Sequence, residues 1–133
     1  MKIFLTIVLV FIIADILIVA YVMYRRFRKK MPKKVAEKIR ENWKEIIRQK
    51  DHSHAIMDAD KLLDHALHEM GLEGNLGAKF KKSPHLFKNI NDVWAAHKVR
   101  NNIAHQINYK VDEQTYKRTM LAFKQAFKDL KIF

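Results

Sequence analysis

The chain has 133 residues, of which 49% are hydrophobic, with three glycines, two prolines and no cysteine. Without cysteine it forms no disulfide and has neither a thiolate metal site nor a cysteine nucleophile. So few glycines and prolines disfavour a β-rich fold with many tight turns, and the composition predicts an all-α protein. The length allows one domain of about a hundred residues beside one membrane segment.

The formal net charge of +12 is unevenly distributed along the chain. Residues 35–133 carry eighteen Lys/Arg against thirteen Asp/Glu, a surplus of only five. Residues 25–34 contain no acid and seven bases, which are Arg25, Arg26, Arg28, Lys29, Lys30, Lys33 and Lys34. Such clusters set membrane topology and contact anionic lipid, so we predict a basic juxtamembrane linker over residues 25–34.

Residues 3–24 are apolar except for Thr6 and Asp15. A helix of this length spans the hydrocarbon core of a bilayer, and no small-residue cleavage pattern follows it. We therefore predict an uncleaved, single-pass transmembrane anchor over residues 1–24. The basic residues after it predict that the C-terminal domain lies on the cytoplasmic side of the inner membrane.

Asp15 lies in the middle of this segment, where a carboxylate costs about 3 kcal/mol on insertion scales. It has two interpretations. Either it makes a polar contact with another anchor helix or with a membrane-protein partner, or it is a single acid tolerated in a very hydrophobic helix.

Apolar residues spaced three and four apart predict four amphipathic helices after the linker. The first covers residues 35–50 and the second covers residues 55–70, with Ser53 as its N-cap and Gly71 as its stop signal. A further helical turn is expected around residues 76–80.

The third helix is predicted to start at Ser83-Pro84, because serine is a common N-cap and proline a common first residue. Asp112 is predicted to cap a fourth helix, whose apolar stripe from Tyr116 to Leu130 belongs to the core. Four helices with mostly short connections predict an up-down four-helix bundle over residues 35–133.

A polar strip is predicted along the third helix. His97, Asn101 and His105 lie at successive four-residue steps and share one edge, and Arg100 flanks that edge. An arginine is a permanent cation and a histidine titrates near neutral pH, so the strip suits phosphodiester binding with proton transfer. Asn108 continues the strip if the helix extends that far, and Tyr109 follows at its rim.

The segment Trp-Ala-Ala-His-Lys-Val-Arg-Asn-Asn-Ile-Ala-His at residues 94–105 resembles the signature of the HEPN superfamily. HEPN domains are compact four-helix bundles named for nucleotide binding in higher eukaryotes and prokaryotes. Their signature is an arginine, then a polar residue that is often asparagine, then a histidine four to six positions after the arginine. It lies near the end of a long helix, and the resemblance extends over residues 35–133.

This resemblance implies a homodimer that binds RNA or nucleotide. In catalytically active members, RNA is cleaved without metal or cofactor, and the arginine and histidine of two protomers face each other across a cleft. Arg100 would hold the scissile phosphate, His105 would transfer the proton and Asn101 would orient one of them. His97, Asn108 and Tyr109 would be substrate-binding residues. Because Ile107 stands where nucleotidyltransferase-regulated members often carry tyrosine, regulation by tyrosine modification is not expected.

The second helix carries an acidic and histidine-rich polar face, which could be taken for a metal site. Its members are Asp58, Asp60, Asp64, His65, His68 and Glu69. Their spacing allows pairwise chelation, but no His-Glu-x-x-His pattern occurs, and we predict no metal. The alternative to a nuclease is a non-catalytic, membrane-tethered module that binds a protein partner, in which the Arg–His strip is structural.

Overall fold

The computed structural model describes residues 1–27 and 31–133. These form two compact units that divide after residue 30. The predicted linker bases Arg28, Lys29 and Lys30 lie outside the described residues, as do the side chains of Arg25 and Arg26. The two remaining linker bases, Lys33 and Lys34, are exposed in the first turn of a helix of the second unit.

The first unit is a single helix, α1, over Lys2–Phe27. Its part Lys2–Tyr24 is long and apolar enough to cross a membrane, as the sequence predicted. Its large apolar side chains are exposed all around the helix. At 1.5 Å per residue, α1 is about 39 Å long and exceeds the roughly 30 Å of a hydrocarbon core.

All regular secondary structure among the described residues of the second unit is helical. It contains α2 (Lys33–Ile46), α3 (His52–Glu69), α4 (Leu76–Lys82), a 3-10 helix (Pro84–Leu86), α5 (Ile90–His105) and α6 (Glu113–Asp129). The all-α prediction is therefore confirmed for the part of the chain that the structure describes. Helix α3 lies at the centre, in contact with α2, α5 and α6, while α5 also contacts α6 and α4.

The core of this unit is built from the apolar stripes of these helices. Phe123 and Phe127 of α6 are fully buried, as are Leu63 and Leu67 of α3. The ring of Trp43 packs edge-on against Phe127, with ring centroids 5.3 Å apart. Four of the five residues that marked the predicted α6 stripe are buried, and Tyr116 is half-buried, so this prediction is confirmed.

Carboxylate and amide side chains set the start of most helices in this unit. Asp51 accepts a hydrogen bond from the His54 N–H at the start of α3, and Asp112 accepts one from the Thr115 N–H at the start of α6. Each of these hydrogen bonds favours the ionised carboxylate and lowers the pKa of the acid below its ordinary 3.8. The predicted cap at Asp112 is confirmed.

The cap predicted for α3 is wrong, because Asp51 rather than Ser53 takes that position. An aspartate two residues earlier lets the helix begin at His52, and Ser53 becomes part of its first turn. The stop signal at Gly71 is confirmed. Its φ of 86° places it in the left-handed region, where the Gly71 N–H donates to the His68 carbonyl at 2.7 Å.

The start predicted for the motif-bearing helix is also wrong. Ser83 and Pro84 lead only into the short 3-10 helix, and α5 begins at Ile90 with Asn89 as its cap. The helix then ends at His105, and Asn108 adopts a positive φ of 60° beyond it. Asn108 and Tyr109 therefore do not continue the helical strip.

Candidate functional site

A buried carboxylate on α3 joins two side chains of α5. The Asp60 side chain is only 5% exposed, because it lies on the helix face that carries the apolar core residues Ile56 and Leu63. A buried carboxylate requires partners that compensate for its lost hydration. Asp60 obtains them from α5.

Asp60 uses its two oxygens for two different side chains. The His97 Nδ1–H donates to Asp60 Oδ1 at 2.8 Å. Since an ionised carboxylate only accepts, the proton of this bond belongs to the imidazole. Arg100 Nε lies 3.3 Å from Asp60 Oδ2 and forms an ion pair with it. We call Asp60, His97 and Arg100 the carboxylate cluster.

The arginine of this cluster is held from two sides. Arg100 Nη1 donates to the side-chain oxygen of Asn101 at 3.0 Å. The Nε atom is close to Asp60 but not aligned for a hydrogen bond, and it has no other hydrogen-bond partner among the described residues. Its contact with Asp60 is therefore electrostatic. The Arg100 side chain as a whole is 26% exposed.

A cavity of about 460 Å³ lies beside this cluster, between α3, α4 and α5. Its lining residues are Asp60, Lys61, Asp64, Asn75, Leu76, Gly77, His97, Arg100 and Asn101. This volume falls in the range of roughly 300–1,000 Å³ that is typical of small-molecule sites. The lining combines two cations, Lys61 and Arg100, with two carboxylates, Asp60 and Asp64, and with amide and imidazole groups. Of these groups, the cations, amides and imidazole can bind an anionic ligand through charge and hydrogen bonds.

Helix α4 is fixed against α3 by an ion pair between a buried lysine and a partly exposed aspartate. The Lys79 side chain is 3% exposed, and its Nζ donates to Asp64 Oδ1 at 2.8 Å and to the Asp64 carbonyl at 3.1 Å. On the other side of α4, a Cβ on Gly77 would come within 3.3 Å of the Trp94 ring. Only glycine therefore allows α4 to lie this close to α5 without displacing the indole.

A second cavity of about 360 Å³ continues along α5. It is lined by Trp94, Ala95, His97, Lys98 and Asn101, so His97 and Asn101 belong to both cavities. The rings of Phe80 and Trp94 pack edge-on against His97, with ring centroids 5.7 and 6.1 Å away. These contacts hold the imidazole between the two cavities.

His105 has a different environment. It is exposed in the last turn of α5 and has no hydrogen-bond or ion-pair partner among the described residues. At 3.6 residues per turn, it lies about 140° around the helix axis from Arg100. The two motif residues therefore stand on different sides of α5, and within one protomer Arg100 is grouped with His97 and Asn101.

The remaining predicted binding residues do not reach this cavity. Asn108 is exposed and Tyr109 is half-buried, both beyond the end of α5. The acidic face of α3 is divided among separate contacts: Asp64 binds Lys79, while His68 pairs with Glu73 at 4.0 Å. Among the described residues, no group of three or more acidic, histidine or cysteine side chains is arranged to hold a metal ion.

Sequence reasoning missed Asp60 as the partner of the motif, because it counted this residue among the acids of a solvated face. One signal was available. Asp60 lies four residues after Ile56 and three before Leu63, so it occupies a position on the apolar stripe of α3. An acid at such a position requires a cationic or hydrogen-bonding partner from another helix.

Comparison of the chain with known protein families, with curated proteins and with solved structures finds no match.

Proposed function

We propose that the chain is a membrane-anchored HEPN-like protein whose residues 35–133 form an up-down four-helix bundle that binds RNA and cleaves it without metal. Helices α2, α3, α5 and α6 are the four helices of this bundle, with α4 as an addition between α3 and α5. The contacts of α3 with the other three, and of α5 with α6, support this arrangement. The arginine–histidine motif in residues 94–105 supports the assignment to HEPN-like proteins.

The observation that carries the proposal is the fixed position of Arg100 at a cavity. Asp60 and Asn101 hold the guanidinium from two sides, and the cavity beside it also presents Lys61 and Asn75. Arginine binds phosphate through several N–H groups at once, and a cation fixed in advance stabilises the charge that develops on a reacting phosphate. Arg100 therefore holds the scissile phosphate.

His105 is the proton-transfer group of this proposal. Its imidazole is exposed and unpaired among the described residues, so it is accessible to a nucleic-acid strand. Because Arg100 and His105 lie about 140° apart on α5, one site draws them from two protomers, which requires a homodimer. Attack of a ribose 2′-hydroxyl on the phosphate then yields a 2′,3′-cyclic phosphate and a free 5′-hydroxyl, and DNA is not a substrate.

The anchor places this activity at the cytoplasmic face of the inner membrane. Helix α1 spans the bilayer, and the bases of residues 25–34 contact anionic lipid on the cytoplasmic side. Asp15 contacts a second membrane helix, since a carboxylate in the hydrocarbon core is more favourable against a polar partner than against lipid.

A second candidate is supported by the same contacts. Asp60 is buried and paired with both His97 and Arg100 inside one protomer, which is also what a purely structural cluster does. In that case the second unit is a membrane-tethered module that binds a protein partner, without catalysis.

A cleavage assay separates the two candidates. The full chain in lipid nanodiscs is incubated with single-stranded RNA in excess EDTA, beside DNA of the same sequence. We expect cleavage of RNA alone, with roughly a 10²–10⁴-fold loss for His105→Ala and a loss of roughly 10²–10³-fold for Arg100→Ala. Arg118→Ala and His65→Ala, which remove exposed residues of the same types, serve as matched controls. Cleavage that requires a metal ion, or that survives both motif substitutions, eliminates the nuclease.

A further inference from the structure

Asp60 determines which ring nitrogen of His97 carries the proton. The Nδ1–H donates to Asp60 Oδ1, so the neutral imidazole keeps its lone pair on Nε2. A carboxylate behind a histidine also stabilises the imidazolium that forms when Nε2 accepts a proton. A histidine oriented in this way is suited to act as a general base.

The position of His97 gives this base access to a ligand. Its side chain is 14% exposed and lines both cavities along α5, together with Asn101. Arg100, the residue assigned to the phosphate, shares one of these cavities and the same carboxylate. A phosphodiester bound by Arg100 therefore has the His97 ring among its immediate neighbours.

We infer that His97 is a second catalytic residue of the ribonuclease reaction, acting as the general base while His105 acts as the general acid. This inference rests on the proposed function. His97 Nε2 removes the proton of the ribose 2′-hydroxyl, and the 2′-oxygen forms a bond to phosphorus. The bond from phosphorus to the 5′-oxygen breaks, and protonated His105 delivers its proton to that oxygen. The products are a 2′,3′-cyclic phosphate and a 5′-hydroxyl, with one proton moved from His105 to His97.

The two histidines serving one phosphate come from different protomers. They are eight residues apart on α5, which corresponds to about 12 Å along the helix axis. The entering and leaving oxygens lie on opposite sides of one phosphorus atom, within a few bond lengths of each other. Two histidines about 12 Å apart along one helix therefore do not both reach the same phosphate. His97 of one protomer is therefore completed by His105 of the second copy.

The purely structural alternative is a hydrogen bond that merely ties α3 to α5. His97→Asn distinguishes the two, because the asparagine amide retains a donor for Asp60 but supplies no base. Retained stability with lost cleavage identifies catalysis. Retained cleavage identifies a structural tie.

The experiment measures RNA cleavage in EDTA by the full chain in nanodiscs, for the wild type and for His97→Asn. It also measures binding of the same RNA made non-cleavable by 2′-deoxy substitution. We expect His97→Asn to lower kcat roughly 10²–10⁴-fold. We expect the Kd for the non-cleavable strand to rise far less than kcat falls, because Arg100, the residue assigned to the phosphate, is unaltered. Cleavage by His97→Asn at the wild-type rate overturns the inference but leaves the proposed function standing. A wild type that does not cleave removes both.

Mixed dimers test the sharing of the site. A dimer of one His97→Asn chain and one His105→Ala chain contains one site with both histidines intact, so we expect cleavage near half the wild-type rate per dimer. If each site instead uses both histidines of one protomer, every site of that mixed dimer lacks one histidine. A mixed dimer that does not cleave RNA therefore overturns the shared arrangement.

A spectroscopic measurement tests the orientation of His97 without RNA. For the neutral ring, the ¹⁵N shifts of His97 in the full chain are expected to show protonated Nδ1 and unprotonated Nε2. They are expected to lose this preference in Asp60→Asn. A ring protonated on Nε2 in the wild type contradicts the assignment of Nε2 as the base.

Discussion

The two halves of the arginine–histidine motif lie on one helix but in different physical environments. Arg100 is about three-quarters buried and is held by Asp60 of another helix, whereas His105 is exposed in the last turn of α5. The first half depends on tertiary packing and the second on where the helix ends. The positions of the two motif residues thus have independent causes, although the motif is continuous in sequence. Substitutions should therefore affect stability differently at the two positions.

The largest expected effect on stability is at the buried half. Asp60→Ala leaves His97 and Arg100 without their shared carboxylate, and removal of one partner from a buried charge pair costs about 3 kcal/mol. Chemical unfolding of the full chain in detergent micelles measures this cost. Tryptophan fluorescence is the appropriate signal, because both tryptophans, Trp43 and Trp94, belong to residues 31–133.

Glu69→Ala is the matched control for this substitution, since Glu69 is an exposed acid near the end of the same helix. We expect it to change the free energy of unfolding by less than about 0.5 kcal/mol. Equal effects of the two substitutions contradict the structural importance of the carboxylate cluster.

A smaller effect on stability is expected at Asp112, at the end of the segment that joins α5 to α6. Asp112→Ala removes the cap of α6 and should lower the free energy of unfolding at neutral pH, by less than Asp60→Ala does. Gln114→Ala, an exposed neighbour in the first turn, is the control.

The effect of Asp112 should depend on pH in a defined direction. Its folded pKa lies below the ordinary 3.8 because the ionised carboxylate accepts the Thr115 N–H, so this stabilisation is present above pH 3.8. It is lost as the pH falls from 3.8 through the folded pKa. The difference in the free energy of unfolding between wild type and Asp112→Ala should therefore be smaller at pH 3 than at pH 7. A difference that grows in acid disproves capping by the ionised Asp112 carboxylate.

The smallest effect on stability is expected at the exposed half. His105→Ala removes an imidazole that has no partner among the described residues, so the free energy of unfolding should change by less than about 0.5 kcal/mol. The same variant is expected to lose RNA cleavage. A stable but inactive His105→Ala beside a destabilised Asp60→Ala is the combination that the comparison predicts, and a large loss of stability in His105→Ala contradicts it.

The parts of the fold that were predictable from sequence are those fixed by local patterns. The span of α1 follows from a long apolar run that only Thr6 and Asp15 interrupt, and the start of α6 follows from a capping aspartate before an apolar stripe. The end of α3 follows from Gly71, the residue best suited to its positive φ. In each case one segment contains all of the information.

Other boundaries were mispredicted where two local signals compete. Ser83 and Pro84 are typical of a helix start, but Asn89 has the same capacity and stands directly before the continuous helix. Asp51 likewise takes precedence over Ser53. The choice between such signals depends on tertiary packing, which one segment does not encode.

The candidate site shows the same division. Arg100, Asn101 and His97 were identified from their spacing on one helix, and the structure brings these three to one cavity. The contributions of Asp60 and Asn75 come from other segments, 40 and 25 residues from Arg100 in sequence. Periodicity within a helix gives no information about which residue of a different helix meets it.

Asp60 gives a separate oxygen to each of its partners, and this makes the three residues energetically inseparable. After loss of His97, the same carboxylate still has Arg100, but it is less fully compensated, so the energies of single substitutions do not sum to that of the double one. Residues in such contact show interaction energies of about 0.5–3 kcal/mol. Positions 60, 97 and 100 are therefore expected to change together in evolution, since the loss of one partner leaves the other two less well compensated.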